Sequence, residues 1–366
     1  MTLGLYLTRR LAGTFGIIAS VFLGILFLFE LVEMMRRFGG GETELRHILW
    51  LAALRVPTTF YQVLPLLTIL SAMALFLALA RSSELIVIRA AGRSALRTLL
   101  EPVLATVLFG ALIVAALNPV VAAAARLYQA QTQAMTAPDL TLQFAVGSSG
   151  IWLRQGDSLG QTVIRAESVG PDGLTFRNTG FIAFDRDTGA PVVRIEAAHA
   201  RLGSGSWFLQ DAKRWDLTAP NPEREAQSQP RLDLPTDLTP ERIRDSFARE
   251  GTISVWALPE FISALERAGL ATRSLRVQLQ SELALPIMMA GMMLVGTVLC
   301  LRHSRAGGAG GRILLTVIAG FALFFLRNFA QVLGENGQIP LLLAVWTPPF
   351  ATILLALGIL LHLEDG

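Results

Sequence analysis

The stretch that decides the fold covers residues 56–97 and reads VPTTFYQVLPLLTILSAMALFLALARSSELIVIRAAGRSALR. Its first part, residues 56–79, is almost entirely apolar, and about 20 apolar residues are enough for a helix to cross a bilayer. A short segment with four arginines follows, and a second apolar run begins at residue 99. The pattern predicts two membrane-spanning helices joined by a short polar helix.

The rest of the chain repeats this apolar pattern. Only 16% of the 366 residues are charged, against about a quarter in ordinary soluble domains, and the mean hydropathy is +0.52. We therefore predict an α-helical polytopic membrane protein with six transmembrane helices, at residues 11–32, 56–79, 99–117, 283–301, 313–333 and 339–361.

Arginines near the ends of the apolar runs indicate the orientation, because short cytoplasmic loops carry an excess of Arg and Lys. Arg9 and Arg10 precede the first run. The loops after the second and fourth runs hold seven more, which are Arg81, Arg89, Arg93, Arg97, Arg302, Arg305 and Arg312. We predict that these loops and both termini are cytoplasmic. The first loop on the opposite side carries four arginines that need a separate explanation: Arg36, Arg37, Arg46 and Arg55.

The residues between the third and fourth runs form one insertion, which this topology places outside the cytoplasm. In residues 136–235 apolar and polar side chains alternate between Gly, Asp and Pro turns, as in GLTFRNTGFIAFD and GSWFLQDAKRWDLT. This alternation predicts an all-β domain, either a sandwich or an open barrel. Within it, residues 218–237 have few apolar side chains and are predicted to form a loop. Residues 1–135 and 283–366 hold three spans each.

Residues 236–282 are predicted to form a helical connector between the β domain and the fourth span. Thr239 can cap a helix that ends before Gly251. LPEFISALERAGL, residues 258–270, is predicted to form a second helix, and residues 271–286 to lead directly into the fourth span.

Catalytic and cofactor motifs are missing from the sequence. Lys213 is the only lysine and stands in DAKRWD, so a phosphate-binding loop of the ATPase type cannot form. The four histidines are far apart, and Cys300 is the only cysteine, so neither a metal site nor an intrachain disulfide is predicted. We expect a protein that is not an enzyme, has no cofactor and binds no nucleic acid.

The polar segment at about residues 82–92 is predicted to be a short helix. Ser82 can cap it, Glu84 lies in its first turn and Gly92 can end it. Leu85 and Ile88 form an apolar stripe, with Arg89 beside it. Such a helix suits insertion into a groove on a partner protein, or it could lie on the inner membrane surface.

Charged residues also stand near the outer ends of the spans. Glu30 and Glu33 precede Arg36 and Arg37, and these four either reach the membrane interface or form the rim of a cavity that faces an anionic amphiphile. Arg36 and Arg37 suit phosphate, because guanidinium groups bind phosphate oxygens in pairs. Two more arginines belong to this layer: Arg126, and Arg327, which either contacts substrate or pairs with Glu30 or Glu335.

Several segments, in order, resemble one known family. They are YLTRRLAGTF, LVEMMRRFGG, RVPTTFYQVLPLLTILSAMALFLALARSSELIVIRAAGRS, LPEFISALERAGL and GQIPLLLAVWTPPF. Over nearly its full length the chain resembles the lipopolysaccharide export permeases LptF and LptG. SSELIVIRAAG is the most specific segment, and it is more similar to the LptG branch than to the LptF branch.

The resemblance implies a six-span permease of the bacterial inner membrane with a periplasmic β-jellyroll-like domain. It implies a heterodimer with an LptF paralogue, an LptB ATPase dimer as the energy source, lipopolysaccharide as substrate within membrane lipid, and a periplasmic bridge of LptC and LptA. Carried over to this sequence, Glu84, Leu85, Ile88 and Arg89 contact the ATPase, and Arg36, Arg37 and Arg126 bind lipid phosphates. Glu282 departs from the pattern, because some relatives carry Lys there.

A second hypothesis comes from a different class of protein. The chain could be a stand-alone inner-membrane anchor that displays its β domain to periplasmic partners, with no coupling to an ATPase. The two hypotheses differ in whether an ATPase copurifies with the chain and whether the cytoplasmic loops tolerate substitution.

Overall fold

The computed structural model describes residues 2–39, 44–82, 84, 95–136, 143–147, 150–157, 160–170, 174–185, 188–203, 205–236, 238, 252–267, 272–301 and 309–365. The chain divides into two compact units. The helical unit contains residues 1–128, 251–256 and 276–366, and the β unit contains residues 129–250 and 257–275.

Six spans of helix are long and apolar enough to cross a membrane, which confirms the predicted number. The third of them, Leu96–Thr132, consists of two α-helices joined by a π-helical turn at Ile113–Leu117. The helices are α1 Thr2–Phe38, α2 Leu45–Arg81, α3 Ala95–Leu112, α4 Asn118–Thr136, α5 Leu258–Arg267, α6 Arg273–Leu301, α7 Ala309–Glu335 and α8 Leu341–Asp365.

The observed helices extend beyond the apolar runs that predict them. The helix α2 begins at Leu45, although its apolar run begins at residue 56. Its added turns bury Ile48 and Leu51 against the rest of the unit. Hydropathy marks the part of a helix that lies in hydrocarbon, whereas helical hydrogen bonding continues through the amphipathic flank.

The fourth span, α6, is the most enclosed of the six. Most residues of α6 are buried, whereas α1 is largely exposed and buries only a few side chains, such as Leu7 and Met34. Glycines allow close crossings here: a Cβ on Gly296 would lie 2.6 Å from the Ile69 carbonyl oxygen of α2, and one on Gly110 of α3 would lie 2.8 Å from the Pro286 Cα of α6. Small residues at such crossings let the helix backbones pack tightly in a membrane.

The β unit contains one seven-stranded antiparallel sheet among its described residues, which confirms the inserted all-β domain. The order of the strands in the sheet is their order in the sequence. The core of its covered face includes Trp207, whose ring meets Phe176 and Phe181 edge to face with centroids 5.2 and 5.6 Å apart. The strands are β1 Gln143–Gly147, β2 Gly150–Asp157, β3 Gly160–Val169, β4 Thr175–Asp185, β5 Pro191–Leu202, β6 Ser206–Asp216 and β7 Gln227–Pro235.

The strand β7 corrects the predicted loop at residues 218–237. It pairs with β6 along its length, and it is the last strand in the order of the sheet. Two prolines, Pro230 and Pro235, suit this position, because an edge strand needs N–H donors on one side only. Its apolar side chains, Leu232 and Leu234, are half-buried, so β7 covers the edge of β6 with few apolar residues.

Both helices predicted before the fourth span that fall on described residues are present. The helix α5 covers Leu258–Arg267, and α6 begins at Arg273 and continues into the apolar run. The predicted helix at residues 239–250 lies outside the described residues, as does the polar helix at 82–92 apart from Ser82 and Glu84.

Candidate functional site

Glu84 is one of two residues of the polar segment that the structure describes, and three side chains donate hydrogen bonds to its carboxylate. Nη1 of Arg10 lies 3.0 Å from Oε1 and 2.9 Å from Oε2. The Tyr6 hydroxyl donates to Oε2 at 2.9 Å, and the Ser82 hydroxyl donates to Oε1 at 2.9 Å. Glu84 therefore links the end of α2 to the first turns of α1.

These contacts make Glu84 a stable anion. The Arg10 guanidinium, followed by the hydroxyls of Tyr6 and Ser82, holds the pKa of the Glu84 carboxyl below its usual range. The side chains of Glu84 and Arg10 remain 36% and 35% exposed. A partner protein can therefore reach this carboxylate, although its charge is already matched inside the chain. Leu85, Ile88 and Arg89 lie outside the described residues.

Arg36 and Arg37 are exposed at the end of α1, as the hypothesis of a basic rim requires. Nη2 of Arg36 lies 2.8 Å from Oε1 of Glu33, and its Nε donates to Oε2 at 3.0 Å, so its guanidinium already faces a carboxylate. The Arg37 guanidinium lies 5.3 Å from the centroid of the Phe38 ring.

Arg126 is exposed on α4, and its helix approaches α1 two residues further on, at Tyr128. The Tyr128 hydroxyl lies 3.6 Å from the sulfur of Met34 on α1. Two residues correspond to about 200° around a helix, so Arg126 and Arg36 project away from this contact. The contact places this part of α4 beside the end of α1, but Arg126 and Arg36 lie on other faces of their helices.

Glu30 faces the protein interior and not lipid. Its Oε1 accepts a hydrogen bond from the Thr59 hydroxyl at 2.5 Å, and its Oε2 lies 3.6 Å from Nε of Arg55. The Arg55 guanidinium also covers the Tyr128 ring at 5.2 Å. Arg55, one of the four unexplained arginines of the first outer loop, thus has an internal partner.

Sequence reasoning missed a polar network that joins four spans. The Tyr61 hydroxyl of α2 donates to Oε2 of Glu282 on α6 at 2.5 Å, and the Asn118 side chain hydrogen-bonds to both. The positive charge of Arg327 on α7 lies close enough to interact with Glu282 and Tyr61. Glu282 is therefore an acid whose charge acts on Arg327, although the two side chains form no ion pair within 4 Å. The sequence had left open whether Arg327 contacts substrate or pairs with Glu30 or Glu335. Ionisable residues inside apolar runs were the available signal, because such residues usually face a partner.

The same network fixes a segment of chain that returns from the insertion. The Val255 N–H donates to Oδ1 of Asn118 at 2.8 Å, and Nε1 of Trp256 donates to the Ala115 carbonyl at 3.0 Å. Ala115 lies in the π-helical turn, a local irregularity that is frequent at functional sites. Val255 itself is buried among apolar side chains of the spans, which include Leu64 and Leu285.

Comparison with known proteins places this arrangement in a family. A sequence profile of the lipopolysaccharide export system permease LptF/LptG matches residues 5–362, and thus covers the spans as well as the β insertion. The chain belongs to the LptF/LptG family. It is 22% identical over 352 residues to the lipopolysaccharide export system permease protein LptG of Haemophilus influenzae, an alignment that covers 92% of this chain and 91% of that protein.

LptF/LptG membership confirms the resemblance and gives the site its context. The chain is a multi-pass membrane permease of a lipopolysaccharide export system, in which lipopolysaccharide is the substrate and LptF and LptG are partners. Among the residues that the structure describes, no group of three His, Cys, Asp or Glu side chains could hold a metal ion.

Proposed function

We propose that this chain is the non-catalytic transmembrane subunit of an ATP-driven exporter that extracts lipopolysaccharide from the inner membrane. A separate cytoplasmic ATPase, LptB, hydrolyses ATP as a dimer, and an LptF paralogue completes the membrane part. The lipid passes to a periplasmic bridge of LptC and LptA. The observation that carries this proposal is the family match over residues 5–362, which joins six spans and the β insertion in one polypeptide.

In this proposal both termini and the loops at residues 82–94 and 302–308 are cytoplasmic, and the β unit is periplasmic. The arginine distribution supports this orientation, since these loops and the N-terminus carry most of the arginines that flank the spans. The β unit is then positioned to receive lipid on the side where the bridge lies.

Glu84, Leu85, Ile88 and Arg89 form the proposed contact with the ATPase. The apolar pair enters a groove on the ATPase, and the charged pair fixes its orientation. Because Arg10 binds Glu84, movement of this segment reaches α1 as well as α2. The exposed fraction of Glu84 supports a role at an interface.

Arg36, Arg37 and Arg126 are proposed to bind the phosphates of the lipid. All three are exposed, as a ligand-facing side chain must be. Arg36 must exchange Glu33 for phosphate, which is possible because both side chains are open to solvent, at 77% and 47% exposed. Exposed ion pairs of this kind are screened by water and contribute little to stability, so the exchange costs little.

The experiment that tests the function is affinity purification of the tagged chain from its native membrane in mild detergent. Wild type, Glu84→Ala and the control Glu225→Ala, an exposed acid of the β unit, are compared. We expect an ATPase, a second six-span permease and lipopolysaccharide to copurify with wild type and with the control. The ATPase should decrease with Glu84→Ala.

One result would contradict the export function, and another would contradict only the role of Glu84. Recovery of the chain alone, or with periplasmic proteins only, would support the membrane-anchor hypothesis. Unchanged recovery and unchanged ATPase activity with Glu84→Ala would exclude Glu84 from the coupling contact while leaving the export function in place.

A further inference from the structure

A cluster of basic side chains lies on the outer face of the sheet. The proposed export through the helical unit gives this cluster no role. The register of four strands aligns them in two cross-strand rows. The first row is Arg177, His199, Gln210 and Arg231, and the second is Thr175, Arg201, Phe208 and Asp233. We call these eight residues the outer basic face.

Burial shows that this face lies opposite the core. On β5, His199 and Arg201 are exposed, whereas the alternate residues Ala200 and Leu202 are 0% and 2% exposed. The other three strands alternate in the same sense. The basic side chains therefore project into solvent from a rigid sheet, which fixes the spacing of their backbones.

The arginines of this face form no ion pair within the part of the chain that the structure describes. At the other end of β5 and β6, Arg194 meets Glu196, and Lys213 meets Glu223. By contrast, among the described residues no carboxylate lies within salt-bridge distance of the guanidinium groups of the outer basic face.

The face also has a concave shape. A depression of about 590 Å³ is lined by its residues apart from Arg177, together with Leu209. Its lining includes two arginines, Arg201 and Arg231, together with His199 and one acid, Asp233. Arg201 on β5 and Arg231 on β7 stand on either side of β6, so their strands lie about 10 Å apart, and the two long side chains can reach one anion between them. Phe208, 46% exposed, offers an apolar surface beside them.

We propose that the outer basic face binds a phosphate group carried on a small polar head group, such as a sugar phosphate. Phosphate has enough oxygens to accept from two guanidinium forks, and the Gln210 amide can add a further donor. The ring of Phe208 contacts the carrier of the phosphate. A depression suits one head group at a time, whereas a planar bilayer surface would need no concavity.

Calorimetric titration of the full chain, in nanodiscs of phosphatidylcholine, tests this site with glucosamine 1-phosphate as probe and glucosamine as the uncharged comparison. The test variant carries Arg201→Gln and Arg231→Gln together. Its control carries Arg214→Gln and Arg224→Gln, which remove the same charge from exposed positions outside the depression. We expect saturable binding of the phosphate probe, weakened about tenfold or more in the test variant and less than about twofold in the control.

Three results would overturn the proposal: no saturable binding by wild type, equal binding of glucosamine, or equal loss in both variants. Binding to phosphatidylglycerol vesicles without binding of the soluble phosphate would also overturn it, and would assign the face to a membrane surface.

All four substituted arginines are exposed, so the thermal unfolding transition should be unchanged in both variants. The assay involves neither ATPase nor transport, so its outcome is independent of the proposed export function.

Discussion

The contact between Glu84 and Arg10 joins residues that lie 74 positions apart in the sequence. Arginine stays protonated at every accessible pH, so the contact depends on the charge of Glu84 alone. The lowered pKa of Glu84 means that the contact stabilises the fold above the ordinary glutamate pKa of about 4.3. This stabilisation is lost as the pH falls through the lowered value.

We therefore expect the pKa of the Glu84 carboxyl to lie below that of an ordinary glutamate in the intact chain, and to move toward the ordinary value when Arg10→Gln removes its main donor. Carboxyl carbon NMR of the chain labelled at glutamate measures both values, with Glu84→Gln assigning the signal. The control is Arg9→Gln, which removes the same charge from an exposed neighbour and should leave the pKa low. Equal pKa values in all three proteins would contradict the Arg10 contact.

The network of Glu282 and Arg327 is a second feature at the scale of single residues, and it lies inside the spans. Removal of one partner takes away an opposite charge that stabilises the other in an apolar environment, where an uncompensated charge is costly. We expect Glu282→Met and Arg327→Met each to destabilise the helical unit, and the double variant to be less destabilised than the sum by at least about 1 kcal/mol.

Detergent-induced unfolding of the full chain measures this coupling. Additive effects of the two substitutions would show that the side chains do not interact. Tyr61→Phe extends the test, because it removes the hydroxyl that donates to Glu282 and keeps the ring. We expect a loss of about 1–3 kcal/mol from the unsatisfied carboxylate.

At the scale of elements, close helix crossings decide how the spans pack. Gly296 of α6 allows contact with the Ile69 carbonyl of α2, and backbone atoms cannot move aside as a flexible side chain can. Gly296→Ala should therefore separate the two helices and lower the free energy of unfolding by about 1–3 kcal/mol.

Gly358→Ala is the matched control for this crossing. A Cβ at Gly358 of α8 meets no atom within 4 Å, so its main effect is the higher helix propensity of Ala, about 1 kcal/mol. We expect this variant to be as stable as wild type or more so in the same unfolding experiment. Equal destabilisation by both substitutions would mean that the crossing does not limit packing.

At the scale of the whole molecule, the proposed orientation predicts which surfaces face each side of the membrane. Cys300 is the only cysteine and is buried, so single cysteines can be introduced and labelled against a low background. We expect Ser228→Cys, on exposed β7, to react with an impermeant maleimide in intact spheroplasts, and Ser304→Cys, in the loop after the fourth span, to react only after permeabilisation. The reverse pattern would invert the topology.

Much of this molecule was predictable from patterns along the chain. The spans follow from runs of about 20 apolar residues, and the β insertion follows from the alternation of side chains with period two. The strand β7 was not predictable, because its few apolar residues, such as Leu232, cover an edge only in the presence of β6. Of the candidate site, the sequence indicated Glu84 as an exposed acid but could not indicate Arg10 as its partner.

The sequence by itself determined that this chain crosses a membrane six times, carries one inserted β domain and lacks the residues of an ATPase. These properties depend on local composition, and the cost of exposing backbone or charge to hydrocarbon enforces them wherever the helices lie. Only the tertiary structure decided which polar side chains meet: Glu282 with Tyr61, Glu30 with Arg55, and Glu84 with Arg10. Such pairings depend on the rotation and crossing of separate helices, which hundreds of weak contacts set together.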